Sequence, residues 1–348
     1  MKLRAFFLPA LVVAALASSS WGAAPPSAYD EALKLLHAGK TQEAIAAYDK
    51  AIKINPRQAE AFVGRGVAYA KLGQQEQAVK DYDQAVKLNP KLAAAYYYRA
   101  NAYDELKQPE RALKDYDQAL ALDSKLGEAY NNRGFVYYKL GQYERAIKDF
   151  DEALKVDPKS ADGYYNRATA YDELKQRQRA IKDYDEAIRL NAKNSNAYRQ
   201  RGGAYAGTGQ YDHAISDFTE AVKLNPKDAE AYYERGLAHR RLNKLELAVQ
   251  DYSAALKLNP NNAEVYNNRA NAYYVLRKYD LALQDYDAAL KIDPKNARIY
   301  ANRGLAKLGA GKNTEADKDF AKSFELDPSL KQKLESEIRA KGSFKGAP

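Results

Sequence analysis

The chain runs to 348 residues, 46% hydrophobic and 29% charged, with a mean hydropathy of −0.68, which excludes both a disordered chain and a multi-span membrane protein. Cysteine is absent, so disulfides, thiolate metal sites, cysteine nucleophiles and a lipid-bearing N-terminal cysteine are excluded. The three histidines, His37, His213 and His239, are scattered, and no cofactor, metal site or catalytic constellation is expected.

Lys2 and Arg4 open the chain, Ala5 to Ala17 is apolar apart from Pro9, and small residues follow through Ala24. This order is that of a secretory signal peptide over residues 1–22, with cleavage after Gly22. The apolar stretch is shorter than the about 20 residues a membrane-crossing helix needs. A periplasmic or secreted protein is expected, with no stable membrane insertion after signal removal; the alternative is a segment retained as an anchor. The net charge of +9 falls to +7 without Lys2 and Arg4, and the last 20 residues carry +3 of that. What lies between is only +4, with mixed signs and no basic stripe, so nucleic acid is not expected as a partner.

Prolines 56, 90, 158, 226, 260, 294 and 328 are separated by multiples of 34, and Ser124 and Ala192 close the same phrase at the two missing places. Nine repeats therefore fill residues 25–330, starting near 25, 59, 93, 127, 161, 195, 229, 263 and 297. Within a repeat, apolar or small residues recur at positions 4, 8 and 11 (Tyr130, Gly134, Tyr137) and at 20, 24, 27 and 28 (Ala146, Phe150, Ala153, Leu154). Both sets have the spacing of an amphipathic helix, so each repeat is predicted as two helices, with the aromatics at 4, 11 and 24 in the core. Gly39, Gly73, Gly141, Gly209 and Gly311 at position 15 mark the end of the first helix. Proline at 32 ends the second. Small residues at 8 and 20 let the pair approach closely.

With these residues in constant register the repeats resemble tetratricopeptide repeats (TPRs). The resemblance implies an all-α, right-handed superhelical solenoid of about nine helix-turn-helix units, its concave wall built mainly by first helices. It also implies a non-enzymatic interaction scaffold.

Position 7 is Arg in repeats two to nine (Arg65, Arg99, Arg133, Arg167, Arg201, Arg235, Arg269, Arg303). Position 23 is Asp in the same eight (Asp81, Asp115, Asp149, Asp183, Asp217, Asp251, Asp285, Asp319). Repeat one lacks both, having Glu31 and Ala47. A half-buried guanidinium needs a carboxylate, which a planar fork can grip with two bonds. A structural Arg–Asp pair inside each repeat is expected; the alternative is a row of arginines that grips acidic ligands.

On the first helices, positions 2, 6, 9 and 13, flanked by 5 and 12, point away from the buried stripe. The candidate groove residues are Tyr97, Asn101, Asp104, Asn131, Asn132, Tyr138, Tyr165, Asn166, Arg199, Tyr233, Arg240, Asn268 and Asn302. Asn at position 6 (Asn132, Asn166, Asn268, Asn302) is similar to the asparagine ladder of the TPR superhelix in O-GlcNAc transferases, where amides hold a peptide backbone. An amide offers both donor and acceptor; the other reading is that these amides bond to the neighbouring repeat's own backbone or to water. Acidic residues gather in repeats three to five (Asp104, Glu105, Glu128, Asp162, Asp172, Glu173), and Arg199, Arg240 and Arg241 follow. That split suits a partner with a basic stretch or of complementary charge along the groove. The carboxylate clamp of TPR co-chaperones needs Lys at positions 5 and 2, and neither position holds one here.

After Pro328, Leu330, Leu334 and Ile338 predict a capping helix over 329–341 that covers the last repeat, and 342–348 is expected to be a disordered tail. The expected function is a scaffold or adaptor that holds extended protein or peptide segments in the groove, for an envelope assembly or secretion complex. Self-association is a further option among partners. The alternative is carbohydrate binding in a polysaccharide export system, with exposed Tyr rings stacking on sugars.

Overall fold

The core of every repeat is built round one ring, the aromatic at position 24. Tyr48, Tyr82, Tyr116, Phe150, Tyr184, Phe218, Tyr252, Tyr286 and Phe320 are each at most 2% exposed in the computed structural model, which describes residues 27–340. The alanines at position 20, from Ala44 to Ala316, are fully buried beside them. Where position 8 is Gly the ring lies against the helix backbone: a Cβ on Gly134 would stand 2.9 Å from Phe150, and one on Gly236 2.7 Å from Tyr252. The small residues therefore set the distance between the two helices of a repeat.

The described residues form helices and no strand. First helices begin at Ala28, Ala59, Ala93, Gly127, Ala161, Ser195, Ala229, Ala263 and Ala297, and each is followed by a second helix of 14 residues, such as Tyr143–Val156. Position 15 is left-handed in all nine repeats, not only in the five with Gly. Lys107, Lys175, Asn243 and Arg277 hold φ of 57–60° there. The reason is the chain reversal, in which the following amide returns to the helix, as Gln108 N–H does to the Tyr103 carbonyl at 2.8 Å. The side-chain caps of the first helices differ along the chain: Asn194, Asp228, Asn262 and Asn296 accept amide hydrogen bonds, whereas Gln58, Leu92 and Leu126 do not.

The chain divides into two bodies, up to Ala170 and from Tyr171. In the first, the two helices of each of repeats one to four pack together, and each second helix packs on the next first helix through repeat four. In the second body the same order holds for repeats six to nine, and the last helix, Ser329–Ala340, packs on the second helix of repeat nine. Its Ile338 is fully buried and, with Leu334, joins Leu305, Leu308 and Phe320. No helix among the described residues is long and apolar enough to cross a membrane. The expected signal peptide (1–22) and the expected tail (342–348) lie outside the described residues.

Candidate functional site

Two polar rows run along the repeats, and they differ in kind. The first is the arginine row. In seven repeats the guanidinium grips both oxygens of its position-23 carboxylate: Arg133 Nε and Nη2 stand 2.8 and 2.7 Å from Asp149, and Arg65, Arg99, Arg201, Arg235, Arg269 and Arg303 do likewise with Asp81, Asp115, Asp217, Asp251, Asp285 and Asp319. The eighth pair, Arg167 and Asp183, has its members in different bodies.

Each of these eight arginines also reaches backwards. Nη1 donates to position 25 of the preceding repeat, to Asp49, Asp83, Asp117, Asp151, Asp185 and Asp287, or to the hydroxyls of Thr219 and Ser253. The position-23 carboxylates are buried, whereas at position 25 Asp83, Asp117, Asp185 and Asp287 are exposed and Asp49 and Asp151 half-buried. The sequence reading missed this second partner, whose signal is the recurring Asp two residues after position 23.

The position-4 ring lies 5.4–5.7 Å from the same guanidinium in all eight repeats, within cation–π range. The expectation that positions 4 and 11 are plain core is thereby corrected. The position-4 tyrosines are half-buried, and most position-11 tyrosines are too, because they stack on an arginine that must keep its own bonds. Burial pushes the Asp81 and Asp149 carboxyls up, against the pull of Arg65 and Arg133. The bonds to Asp81 and Asp319 raise Arg65 and Arg303, which stay charged. Depressions open beside this row, one lined by Arg65, Tyr69, Gln74, Gln77, Lys80 and Asp81, another by Tyr130, Arg133, Lys148 and Asp149 among others.

The second row is on the first helices, at positions 5 and 6. Position 6 of one repeat donates to position 5 of the repeat before: Asn132 to Tyr97 (3.2 Å), Asn166 to Asn131 (3.0 Å), Asn268 to Tyr233 (3.0 Å) and Asn302 to Asn267 (3.1 Å). Each bond is a rung between neighbouring repeats. Asn132 also donates to Asn101, and the Tyr97 and Tyr233 hydroxyls donate to Glu128 and Glu264 at 3.0 and 2.7 Å.

The candidate residues therefore separate. Tyr97, Asn101, Asp104, Asn132, Tyr233 and Asn268 are buried in repeat-to-repeat contacts, with Asp104 bonded to Lys139. These six are not open surface, because their side chains are buried and bonded to the adjoining repeat. Asn131, Tyr138, Tyr165, Asn166, Arg199, Arg240 and Asn302 are half-buried. In the rungs Asn131–Asn166 and Asn267–Asn302 one amide NH2 and one amide oxygen remain unbonded among the described residues and are not sealed from solvent. The Tyr138 ring lies 5.4 Å from that of Tyr143, tilted by 57°. Asn267 and Lys139 belong to this row and were missed in the sequence. The acidic run is partly neutralised: Asp104 is paired with Lys139, and Asp172 lies 3.7 Å from Arg177. Among the described residues no group of three or more His, Asp or Glu could hold a metal ion.

Models of the tetratricopeptide repeat match residues 59–92, 127–160, 161–194, 263–296, 199–263, 81–114 and 297–330, and those of the TPR repeat match 32–73 and 105–141. The chain is a member of the tetratricopeptide repeat family, and its fold is that of a protein-interaction scaffold. No curated protein matches the chain. Among solved structures it is similar to PilF of Pseudomonas aeruginosa, at 25% identity over 61% of this chain and 97% of that one, with a TM-score of 0.53. It is also similar to the C-terminal part of a TPR repeat-containing protein from Cytophaga hutchinsonii (18% identity, 69% and 98% covered, TM-score 0.57). A third match is YrrB, described as a TPR protein with an unusual peptide-binding site (30% identity, 52% and 94% covered, TM-score 0.48).

Proposed function

We propose that the chain is a non-enzymatic scaffold that holds extended peptide segments against the face of its first helices, the concave groove of the fold. The observation that supports this most directly is the pair of amide rungs. Asn131–Asn166 and Asn267–Asn302 each fix two amides by a bond between repeats and leave one donor and one acceptor over. A peptide backbone presents the complementary acceptor and donor whatever its side chains. Because the amides are already positioned, a ligand orders little on binding. Tyr138 and Tyr165 add half-buried rings on the same face. The pattern of residues 1–22 supports export to the periplasm or beyond, and hence service in an envelope assembly or secretion complex.

Photo-crosslinking from Tyr165, replaced by a benzophenone amino acid in the otherwise intact chain, tests this reading. The expected result is covalent capture of protein segments that map to a few extended sequences, with none captured from the same group at Lys148 on the arginine-row side. Equal capture from both places would contradict it, and a glycan retained in place of protein would favour sugar binding instead.

A further inference from the structure

Between repeats three and five and between repeats seven and nine, four rungs between positions 5 and 6 are closed by hydrogen bonds; at the same positions between repeats six and seven no such bond forms. Arg199 stands there at position 5, on the helix Ser195–Gly207, and Glu234 at position 6, on the helix Ala229–Arg241. Glu234 Oε2 and Arg199 Nε are both buried and neither has a hydrogen-bond partner. Arg199 Nε instead lies 3.3 Å from Asp228, whose carboxylate caps the helix of repeat seven by accepting from Ala231 N–H at 3.1 Å. Each of those four rungs places an amide at position 6, which can donate; a carboxylate at that place can donate only when it carries a proton.

The charged groups acting on Glu234 are Arg199 from the facing helix, Asp228 at the entry to its own helix and Glu230 in that helix's first turn. The second helices packed against it, Tyr211–Leu224 and Leu245–Leu258, add no other among the described residues. Burial pushes the Glu234 carboxyl up to about 7 from 4.5; Arg199 opposes the rise, and Glu230 and Asp228 add to it. A buried carboxylate without a donor is costly, and a neutral one is not.

We infer that the Arg199–Glu234 rung is a proton-controlled joint between repeats six and seven. With the proton on Glu234, Arg199 stays on Asp228. When the proton leaves to solvent, the bare carboxylate draws the guanidinium off its ion pair with Asp228 and accepts a hydrogen bond from its Nε–H, so the contact between the two first helices changes partners. The sign of the stability effect follows from linkage. The folded chain keeps a proton that the unfolded chain has already lost, so stability falls as pH rises from about 4.5 to 7 and is level above that. The joint does not depend on what the groove binds.

The test is an NMR titration of the full chain with ¹³C-labelled glutamate carboxyls and ¹⁵N-labelled arginine side chains. The expected result is one glutamate that titrates near 7, assigned by its loss in Glu234→Gln, and an Arg199 Nε–H signal that moves with the same midpoint. Arg199→Gln should move that midpoint upward, because the opposing positive charge is gone, while Glu234→Gln should abolish the fall in unfolding midpoint between pH 5 and 7. A Glu234 that titrates in the ordinary carboxylate range, or an Arg199 signal that ignores its titration, would overturn the inference.

Discussion

The arginine row and the rung row run along the same helices with the same period, yet one is uniform and the other is not. At position 7 the same guanidinium recurs eight times with an aromatic ring 5.4–5.7 Å away, and carboxylates, or at two Nη1 positions a hydroxyl, take up its nitrogens. At positions 5 and 6 the residues change from Tyr and Asn to Asn and Asn to Arg and Glu, and some leave hydrogen-bonding capacity over. Uniform saturation is what stacking requires, since each repeat must meet the next in the same way. Variation in a fixed register is what selectivity requires, since each repeat can then contact a different part of a ligand.

Breaking the uniform row should cost most. Arg133→Ala leaves the buried Asp149 carboxylate without its guanidinium, and a loss of about 3–5 kcal/mol is expected from urea unfolding followed by circular dichroism. Removing one rung should cost less: Asn166→Ala deletes a single neutral hydrogen bond to Asn131, worth about 1 kcal/mol by the same measurement. The outer ends of the arginine row should matter least for stability. Asp117 is 60% exposed on its side chain, and Asp117→Ala should lose no more than about 1 kcal/mol. Thr219→Asp sharpens the point in the other direction. It installs opposite Arg235 Nη1 the carboxylate that repeats one to five and eight already have at position 25, and a gain of a few tenths of a kcal/mol is expected, fading with added salt.

Much of this was legible in the sequence, and for a physical reason in each case. The 34-residue period placed the helix pairs because proline and small residues act locally, on the chain that carries them. The Arg–Asp pair could be read because both members belong to one repeat and are lost together from repeat one. The backward bond to position 25 and the rungs were not read, because they depend on how one repeat is offset against the next. Spacing within a single amphipathic helix carries no information about that offset. The same omission made Tyr97, Asn132 and Asn268 look open to a ligand, whereas each turns its polar atoms to the adjoining repeat. Position 15 was read from its glycines alone. Lys107, Lys175, Asn243 and Arg277 show that the reversal sets the left-handed conformation even without them.

The central claim is that recognition resides in the first-helix row and not in the arginine row. Selection from a phage-displayed library of random peptides tests it most directly, on three full-length chains: the wild type, a variant with Asn131, Tyr138, Tyr165 and Asn166 changed to Ala, and a variant with Asp83 and Asp117 changed to Ala. The account predicts that the wild type and the aspartate variant enrich the same peptides, and that the four-residue variant binds them at least about tenfold more weakly while still unfolding cooperatively. Equal binding by the four-residue variant, or loss of binding in the aspartate variant, would contradict it.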